Sequence, residues 1–374
     1  MKVDYLIVGS GLTGATIARH LADAGREVLV VDRRPHHGGN VHDHVHPGNI
    51  RVHTYGPHYF RTNSAELWQY VNRFGEFYRF EARVLSLVDG AYEQWPVTDS
   101  YIRRTVGADW VPSFQGTPRN FEEASLSMMP RLVYEKFVKG YSEKQWGVPA
   151  TSLSAELAGR FQVYTDDDPR FMRHAYQGLP AAGYSAWMQN MLAGIPLSLN
   201  FDYLKNRSAI EARRALVFTG PIDEFFGYRL GKLQYRGQLR EHRYLPDADY
   251  AQPCQQVNNP QLENGPHIRT IEWKRMMPAE EAARAGGTIL TTERTITPPD
   301  PDGYEYPFPD VANKALFQAY AKEAEAIPSL LICGRLGEYR YYDMDQAIAR
   351  ARMLARRILD QPFSSIQPLA TSSD

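Results

Sequence analysis

Residues 3–32 read VDYLIVGSGLTGATIARHLADAGREVLVVD, and this stretch decides the fold class. The apolar run at residues 3–8 predicts a strand. Apolar residues at helical spacing after Leu12 predict a helix that ends at Gly25, and residues 28–31 predict a second strand. A strand, a glycine turn, a helix and a second strand form the first unit of a parallel α/β sheet.

The glycines between the first strand and the helix predict a dinucleotide-binding turn. Gly9 permits a tight turn, Gly11 lets the backbone approach a pyrophosphate, and Gly14 lets the helix pack on the strand. The helix begins near Leu12, where free N–H groups and a partial positive charge favour phosphate. Asp32, which ends the second strand, can accept hydrogen bonds from a ribose hydroxyl. NAD and FAD share this unit, so these residues alone leave the cofactor open.

The residues that follow the acid favour FAD. They run from Arg33 to Asn40 and read RRPHHGGN, which places Gly39 in a Gly-Gly pair. Two glycines at this point suit a second close approach of the backbone to a long dinucleotide. An ordinary Gly-Gly turn is the alternative.

A group of histidines lies between residues 36 and 58. His42, His44 and His46 alternate, and on a strand they would share one face. A metal site there would lack the cysteines or the tight set of carboxylates that such sites use. We therefore predict no metal, and interpret the group as part of a solvated or flavin-facing strand.

Bulk composition excludes several classes of protein. The chain of 374 residues is long enough for two or three domains, and its net charge of −1 excludes a general attraction to nucleic acid or to an anionic membrane. No apolar run approaches the roughly 18 residues that a membrane span needs. Cys254 and Cys333 match no metal spacing, which predicts reduced thiols in a cytoplasmic protein without a signal peptide.

Two clusters mix aromatic and charged residues in a way that predicts a ligand pocket. Residues 140–147 read GYSEKQWG, and residues 334–344 read GRLGEYRYYDM. Burial of so many polar groups without partners would be costly, so neither cluster suits a core. Arginines would serve a phosphate, and tyrosines a base and a sugar. A surface held by cation–π contacts and ion pairs is the alternative.

Several blocks in the same order resemble one family over nearly the whole chain. Besides the two clusters, they are GSGLTGA at residues 9–15, YGPHYFRT at 55–62, TGPIDEFFGYRLGKLQYR at 219–236 and IRTIEWK at 268–274. In these blocks the chain resembles the bacterial UDP-galactopyranose mutases. The resemblance implies an FAD enzyme that interconverts the pyranose and furanose forms of a nucleotide sugar. UDP-galactopyranose and UDP-galactofuranose are the first expectation.

The resemblance also implies the chemistry. N5 of the reduced flavin attacks the anomeric carbon, UDP leaves, and the sugar of the adduct opens and recloses through another hydroxyl before UDP returns. The flavin must be reduced, with NAD(P)H as the expected external reductant, but no net redox change occurs. A homodimer and a role in cell-surface polysaccharide biosynthesis are further expectations.

Site residues follow from the resemblance position by position. Arg160 and Arg269 match the family's two diphosphate-binding arginines. Together with His58 beside the flavin and Asp343 near the site, they are the predicted catalytic residues. Arg160 lies in a segment, Leu153 to Phe171, that the family uses as a mobile lid. The predicted substrate-binding residues are Phe137, Tyr141, Trp146, Phe171, Tyr306 and Tyr341. The predicted cofactor-binding residues are Gly9, Gly11, Leu12, Gly14, Asp32, Arg33, Gly39, Asn40, His58, Arg335, Tyr342, Asp343 and Met344.

The apolar patterns and the resemblance together predict an α/β fold with three parts: a Rossmann-like FAD-binding domain with a parallel sheet, an inserted helical domain and an antiparallel-sheet domain. The predicted division assigns residues 1–64, about 178–194, 212–226 and 325–362 to the FAD-binding domain, 65–177 to the helical domain with the lid, 195–211 and 227–324 to the antiparallel substrate domain, and 363–374 to a flexible tail.

Residues 81–120, which include QWPVT at 94–98, do not follow the family's pattern. Three single positions also depart from it, at the sugar end. Phe171 stands where the family has a tyrosine, Arg61 replaces a histidine, and Tyr78 replaces an asparagine. A changed polar group in a buried site shifts the preference among substrates by about 1–3 kcal/mol. UDP-N-acetylgalactosamine, UDP-arabinose and dTDP-fucose therefore stay open as substrates. A flavin oxidase or dehydrogenase, and a binding protein that lost the chemistry, are alternatives from other classes.

Overall fold

The structure is a computed structural model and describes residues 1–360, apart from the side chain of Arg160. The tail predicted over residues 363–374 lies outside the described residues. The strands are Lys2–Val8 (β1), Val28–Val31 (β2), Asp43–His46 (β3), Ile50–His53 (β4), Phe60–Thr62 (β5), Phe77–Arg79 (β6), Val84–Val88 (β7), Ala91–Trp95 (β8), Val97–Thr98 (β9), Val163–Tyr164 (β10), Tyr176–Pro180 (β11), Leu197–Ser198 (β12), Glu211–Phe218 (β13), Tyr235–Leu245 (β14), Gln256–Asn258 (β15), Arg269–Glu272 (β16), Thr288–Ile296 (β17), Tyr306–Pro307 (β18) and Leu330–Ile332 (β19). The α-helices are Leu12–Asp23 (α1), Ala65–Asn72 (α2), Asp99–Thr105 (α3), Phe121–Leu126 (α4), Arg131–Tyr134 (α5), Gly140–Trp146 (α6), Tyr184–Met191 (α7), Ile222–Phe225 (α8), Ala279–Arg284 (α9), Val311–Glu325 (α10), Gly334–Gly337 (α11) and Met344–Asp360 (α12).

A five-stranded parallel sheet has the order β12-β2-β1-β13-β19. Strand β2 and the second halves of β1 and β13 are apolar runs, as strands covered on both faces require. The register of β1 and β2 pairs Val8 with Val31. The residues that follow them, Gly9 and Asp32, therefore meet at the same edge of the sheet. The predicted α/β class and its Rossmann-like unit are confirmed.

Helices α1 and α12 pack together in the largest apolar core, which they share with the parallel sheet. A Cβ atom at Gly14 would lie 1.9 Å from the carbonyl oxygen of Gly9, so only glycine fits where α1 approaches the turn. Burial of each large aliphatic side chain contributes about 1.5–3 kcal/mol. The buried residues of α12 recur at helical spacing and are Met344, Ala347, Ile348, Ala351, Leu354, Ala355 and Ile358.

Strand β12 corrects one part of the predicted division. Residues 195–211 were expected in the antiparallel domain, but Leu197 pairs in parallel with Val30. The strand is therefore the edge of the five-stranded sheet. The reason is packing: Ile195 is buried in the core of that sheet, and Leu197 packs against it.

A seven-stranded sheet has the order β18-β14-β17-β16-β15-β7-β8. Its neighbouring strands are antiparallel except for β15 and β7. Strands β7 and β8 belong to the segment 65–177 that was expected to be helical. The sheet thus joins residues from two of the predicted domains.

The short helices α3 to α5 and the start of α6 surround a second apolar cluster. Phe137 and Val138, in the π-helical turn that precedes α6, are among its buried members, with Phe121 and Val133. Among residues 1–360, no helix combines the length and the apolar character that crossing a membrane would demand.

Candidate functional site

A deep cleft opens at the carboxyl edge of the parallel sheet, and we call it the cofactor cleft. It encloses about 1200 Å³ of empty space, including its open mouth. Ligands of such sheets bind at this edge, where strands end and helices begin. The cleft is lined by every predicted cofactor-binding residue except Gly14 and Asp343, namely Gly9, Gly11, Leu12, Asp32, Arg33, Gly39, Asn40, His58, Arg335, Tyr342 and Met344.

Glycine turns expose the backbone on one side of the cofactor cleft. Gly9 has φ +106°, and a Cβ atom there would lie 2.0 Å from Oγ1 of Thr219. Gly39 has φ +58°, and its Cβ atom would lie 2.9 Å from Cα of Gly11. Two stretches of bare backbone therefore face each other beside the N-terminus of α1, a surface suited to a phosphate.

The charged groups of the cleft already have partners. Asp32 is 7% exposed, and its Oδ2 accepts from Oγ and the backbone N–H of Ser10 at 2.6 and 2.8 Å. Arg33 forms ion pairs of 2.8 Å with Glu224 and 2.9 Å with Asp302. Arg34 and Arg335, which also line the cleft, are hydrogen-bonded to Oδ1 of Asn40 and to the carbonyl of Tyr342, each at 2.8 Å. Beside the glycine turns the cleft therefore offers oriented backbone and the carboxylate of Asp32.

His58 is a neutral side chain on the cleft wall. Its Nδ1 lies 2.8 Å from the carbonyl oxygen of Gly56, so Nδ1 carries the proton as the donor. Burial, with the positive charges nearby, lowers the pKa of His58 to about 3. Behind it, Nδ1 of His53 accepts the backbone N–H of His58 at 3.1 Å. Nε2 of His58 makes no hydrogen bond with a described residue and can accept one from a ligand.

Arginine and tyrosine side chains continue the cleft toward the seven-stranded sheet. The guanidinium of Arg335 lies 4.8 Å from the ring centre of Tyr341 and 5.8 Å from that of Tyr306. The two tyrosine rings stack at 5.9 Å. Because Arg335 also lines the cleft, this tyrosine cluster of Arg335, Tyr306 and Tyr341 borders it.

Arg269 is the next cation beyond the tyrosine cluster. Its Nε donates to Oε2 of Glu293 at 2.5 Å. Burial by itself would lower the pKa of Arg269, but the charge of Glu293 holds it well above its usual value. Tyr141 and Tyr306 both interact electrostatically with Arg269. The structure thus brings Arg269, Tyr141, Tyr306 and Tyr341 together, as one site requires.

Other predicted site residues lie in different surroundings. Phe137 is fully buried between Trp95 and Tyr101, and Trp146 is edge-on to Phe308 at 5.8 Å. Phe171 packs against the second apolar cluster. Its backbone N–H donates to the carbonyl oxygen of Ala82, with 2.7 Å between nitrogen and oxygen. Their roles in substrate binding stay predictions.

Asp343 and the predicted lid also stay untested. Asp343 forms an ion pair of 3.1 Å with Arg61 rather than lining the cleft. Within the segment 153–171, strand β10 pairs with β9, and the side chain of Arg160 is outside the described residues.

Comparison with known proteins decides the family. A family model described as UDP-galactopyranose mutase matches residues 136–341, and one described as an NAD(P)-binding Rossmann-like domain matches residues 7–74. The chain is 32% identical over 371 residues to a probable UDP-galactopyranose mutase from Klebsiella pneumoniae, an alignment that covers 95% of this chain and 94% of the relative. The chain belongs to the UDP-galactopyranose mutase family.

Other members and one structure support the UDP-galactopyranose mutase assignment. A dTDP-fucopyranose mutase from Escherichia coli is 32% identical over 365 residues, which cover 92% of this chain and 96% of the relative. A crystal structure of a reduced UDP-galactopyranose mutase superposes with a TM-score of 0.79 at 15% identity and covers 96% of this chain and 94% of that one. At that identity the match shows the fold. The predicted family, and with it an enzyme of the isomerase class, is confirmed.

Three residues beside this mutase site escaped the sequence analysis: Arg240, Glu293 and Glu305. They are buried charged groups on strands β14 and β17 and next to β18. Each of these strands mixes charges with apolar residues, which is also the pattern of an ordinary half-exposed strand. Only the pairing of strands far apart in sequence brings them together, so no signal within one segment could have found them.

Proposed function

We propose that the chain is an FAD-dependent isomerase that interconverts the pyranose and furanose forms of a nucleotide diphospho-sugar, UDP-galactose first. One observation carries the proposal: the cofactor cleft leads into a cluster of Arg335, Tyr306, Tyr341 and Arg269. A dinucleotide site and a diphosphate site are thus neighbours, as transfer between a flavin and a nucleotide sugar requires.

The residues of the cofactor cleft fit FAD. The bare backbone of Gly11 and Gly39 suits the pyrophosphate, and the carboxylate of Asp32 suits the adenosine ribose. His58 and Arg335 would lie beside the isoalloxazine. When bound and reduced, FAD supplies an electron-rich nitrogen that acts as a nucleophile toward the anomeric carbon. NAD(P)H, as the source of those electrons, is part of this proposal.

The chain's own residues would hold the nucleotide while the glycosidic bond is broken. The terminal nitrogens of Arg269 suit the oxygens of a leaving diphosphate, because a guanidinium matches phosphate in geometry and charge. Arg160 would add a second guanidinium. Hydroxyl groups of Tyr306 and Tyr341 can donate to the same oxygens, and the ring of Tyr141 offers a surface for the base.

A thymidine carrier is the second candidate. The relatives named probable UDP-galactopyranose mutase and dTDP-fucopyranose mutase are equally identical to this chain, at 32%. The altered residue Arg61 at the sugar end supports keeping fucose open as well. Burial raises the pKa of the Tyr78 phenol, and its hydroxyl donates to the carbonyl of Met276. The hydroxyl proton of Tyr78 is therefore used within the protein and is not available to a substrate. A cytoplasmic homodimer completes the proposal.

The test compares redox states and substrates in one assay. Purified holoenzyme, reduced with dithionite or left oxidised, is incubated with UDP-galactopyranose and with dTDP-fucopyranose, and the products are separated by chromatography. We expect furanose product only from reduced enzyme. Equal turnover in both states would falsify the proposed chemistry, and steady oxygen consumption with a simple amine or sugar would favour an oxidase.

A further inference from the structure

A row of alternating charges crosses the seven-stranded sheet beside the candidate site. In the strand register, Arg240 on β14 and Arg269 on β16 both stand opposite Glu293 on β17. Arg240 Nε donates to Oε1 of Glu293 at 2.9 Å, and Arg269 Nε donates to Oε2 at 2.5 Å. One carboxylate therefore serves two guanidinium groups, one on each oxygen.

The far end of Arg240 closes this row on a second acid. Its Nη1 and Nη2 donate to Oε1 and Oε2 of Glu305 at 2.8 and 2.9 Å. The side chains of Arg240, Glu293 and Glu305 are 9%, 0% and 7% exposed. Buried charges are tolerated only when they are paired and hydrogen-bonded. With Arg269, the charge row of Glu305, Arg240, Glu293 and Arg269 holds two positive and two negative groups, which cancel.

The charge row determines how Arg269 is held. Among the described residues, Arg269 bonds through Nε alone, and its terminal nitrogens have no hydrogen-bond partner. A free Oε1 on Glu293 would let Arg269 rotate into a bidentate pair, which is the stronger arrangement for a guanidinium and a carboxylate. A second N–H group of Arg269, and more of its charge, would then be used within the protein. Arg240 prevents this because it occupies Oε1.

The row is also fixed against the wall of the cofactor cleft. Gly56 has φ +88°, and a Cβ atom there would lie 2.7 Å from Oε1 of Glu293 and 3.0 Å from Nη2 of Arg240. The carbonyl of Gly56 accepts from Nδ1 of His58, which lines the cleft. The backbone therefore covers the Arg240–Glu293 contact and excludes water from it.

We propose that Arg240 is a positioning residue for the diphosphate. Because Arg240 is hydrogen-bonded to Oε1 of Glu293, Arg269 makes only one hydrogen bond to that carboxylate. The remaining N–H groups of Arg269 are thereby directed to the ligand. This inference rests on the proposed function, because it needs Arg269 to bind a diphosphate. It concerns the diphosphate only, so the affinity for the nucleoside should not depend on Arg240.

The test titrates FAD-loaded protein with UDP and with uridine, which lacks the diphosphate, and follows the flavin absorbance. For Arg240→Met we expect the Kd for UDP to rise at least about tenfold, the scale for one buried charge-assisted hydrogen bond, and the Kd for uridine to stay within about twofold. Arg243→Met is the matched control, since Arg243 is an exposed arginine on the same strand. It should alter neither affinity by more than about twofold.

The double variant Arg240→Met/Glu305→Gln separates position from charge. It keeps the net charge of the charge row at zero, because one acid and one base are removed together. It still leaves Oε1 of Glu293 free for Arg269. We expect its affinity for UDP to stay at least about tenfold weakened. Wild-type affinity in the double variant would overturn the proposal in favour of a net-charge effect.

Three further results would also overturn it. The first is an unchanged Kd for UDP in Arg240→Met, and the second is an equal loss of affinity for UDP and for uridine. The third is loss of FAD from both Arg240 variants, which would show that Arg240 stabilises the fold. Failure of the proposed function looks different: the wild-type protein itself would then bind no UDP.

Discussion

The cofactor cleft and the charge row present opposite kinds of surface. At the cleft, glycines such as Gly11 and Gly39 bring bare backbone to the surface, and Arg33 is already paired with acids. At the row, the terminal nitrogens of Arg269 have no hydrogen-bond partner within the part of the chain that the structure describes. Backbone amides and a helix N-terminus hold an anion with little net charge, whereas a guanidinium acts through charge and is sensitive to salt. The first surface suits a resident cofactor, and the second suits a ligand that must come and go.

Removal of Arg269 should give the largest effect and tests whether the two surfaces are separate. Arg269→Ala should lower kcat/KM for the nucleotide sugar by more than about 100-fold, because a buried guanidinium at a developing diphosphate contributes roughly 3 kcal/mol or more. The protein should still bind FAD, since Arg269 is not in the cofactor cleft. Steady-state kinetics of reduced enzyme, with flavin content from the absorbance spectrum, measure both.

The control for that experiment is Arg294→Ala, because Arg294 is an exposed neighbour of Glu293. It should change kcat/KM by less than about threefold. A colourless Arg269→Ala protein would instead show that the two surfaces depend on each other. Full activity of Arg269→Ala would show that Arg269 has no role in catalysis.

The dinucleotide-binding turn beside the cofactor cleft could be predicted from sequence because its residues lie close together in the chain. Gly9, Gly11, Gly14 and Asp32 lie within one strand–helix–strand unit, where spacing alone fixes geometry. Arg240 and Glu293 become neighbours only through the register of β14 and β17, which no single segment encodes. The family resemblance supplied Arg269 without its partners. It could not supply Arg240, because the geometry that makes Arg240 useful exists only across strands.

The two neutral histidines between the surfaces predict a loss of stability in acid. Burial lowers the pKa of His53 to about 3, from about 6.5 when unfolded. Below pH 6.5 His53 binds a proton in the unfolded chain but stays neutral in the folded protein. The free energy of unfolding is therefore highest above that pH and falls as the pH drops toward 3. Between about pH 7 and pH 5 this amounts to about 2 kcal/mol, measurable as a shift in urea unfolding.

The variant His53→Asn tests the assignment of this loss. Its amide oxygen can accept the N–H of His58 as Nδ1 of His53 does, but it does not titrate. The difference in stability between the two pH values should shrink by about 2 kcal/mol. His44→Asn changes an exposed histidine and should leave the difference as it is. If His53→Asn loses as much stability between the two pH values as the wild type, another group causes the loss.

A smaller effect is expected from the carboxylate of the cleft. Asp32→Ala should weaken FAD about tenfold, or about 1.4 kcal/mol, because a ribose loses one charge-assisted hydrogen bond. Turnover with saturating FAD should be within about twofold of the wild type, since the chemistry lies at the other end of the cofactor. Titration of the apoprotein with FAD measures the affinity. Asp23→Ala, at an exposed ion pair with Arg19 and Arg73, is the control. A loss of turnover that excess FAD does not restore would contradict the division.

The smallest expected effect concerns the sugar end, where Arg61 replaces the family's histidine. Arg61 pairs with Asp343 at 3.1 Å, and its Nε is buried without a hydrogen-bond partner in the described part of the chain. An unpartnered buried donor is costly, and a sugar hydroxyl could satisfy it. Arg61→His should therefore raise KM for the nucleotide sugar about fivefold, or about 1 kcal/mol, with the Kd for UDP within about twofold. Arg73→His, at an exposed Arg–Asp pair of equal length, should change neither. Equal shifts in both constants would place Arg61 with the nucleotide, and no shift would exclude it from sugar recognition.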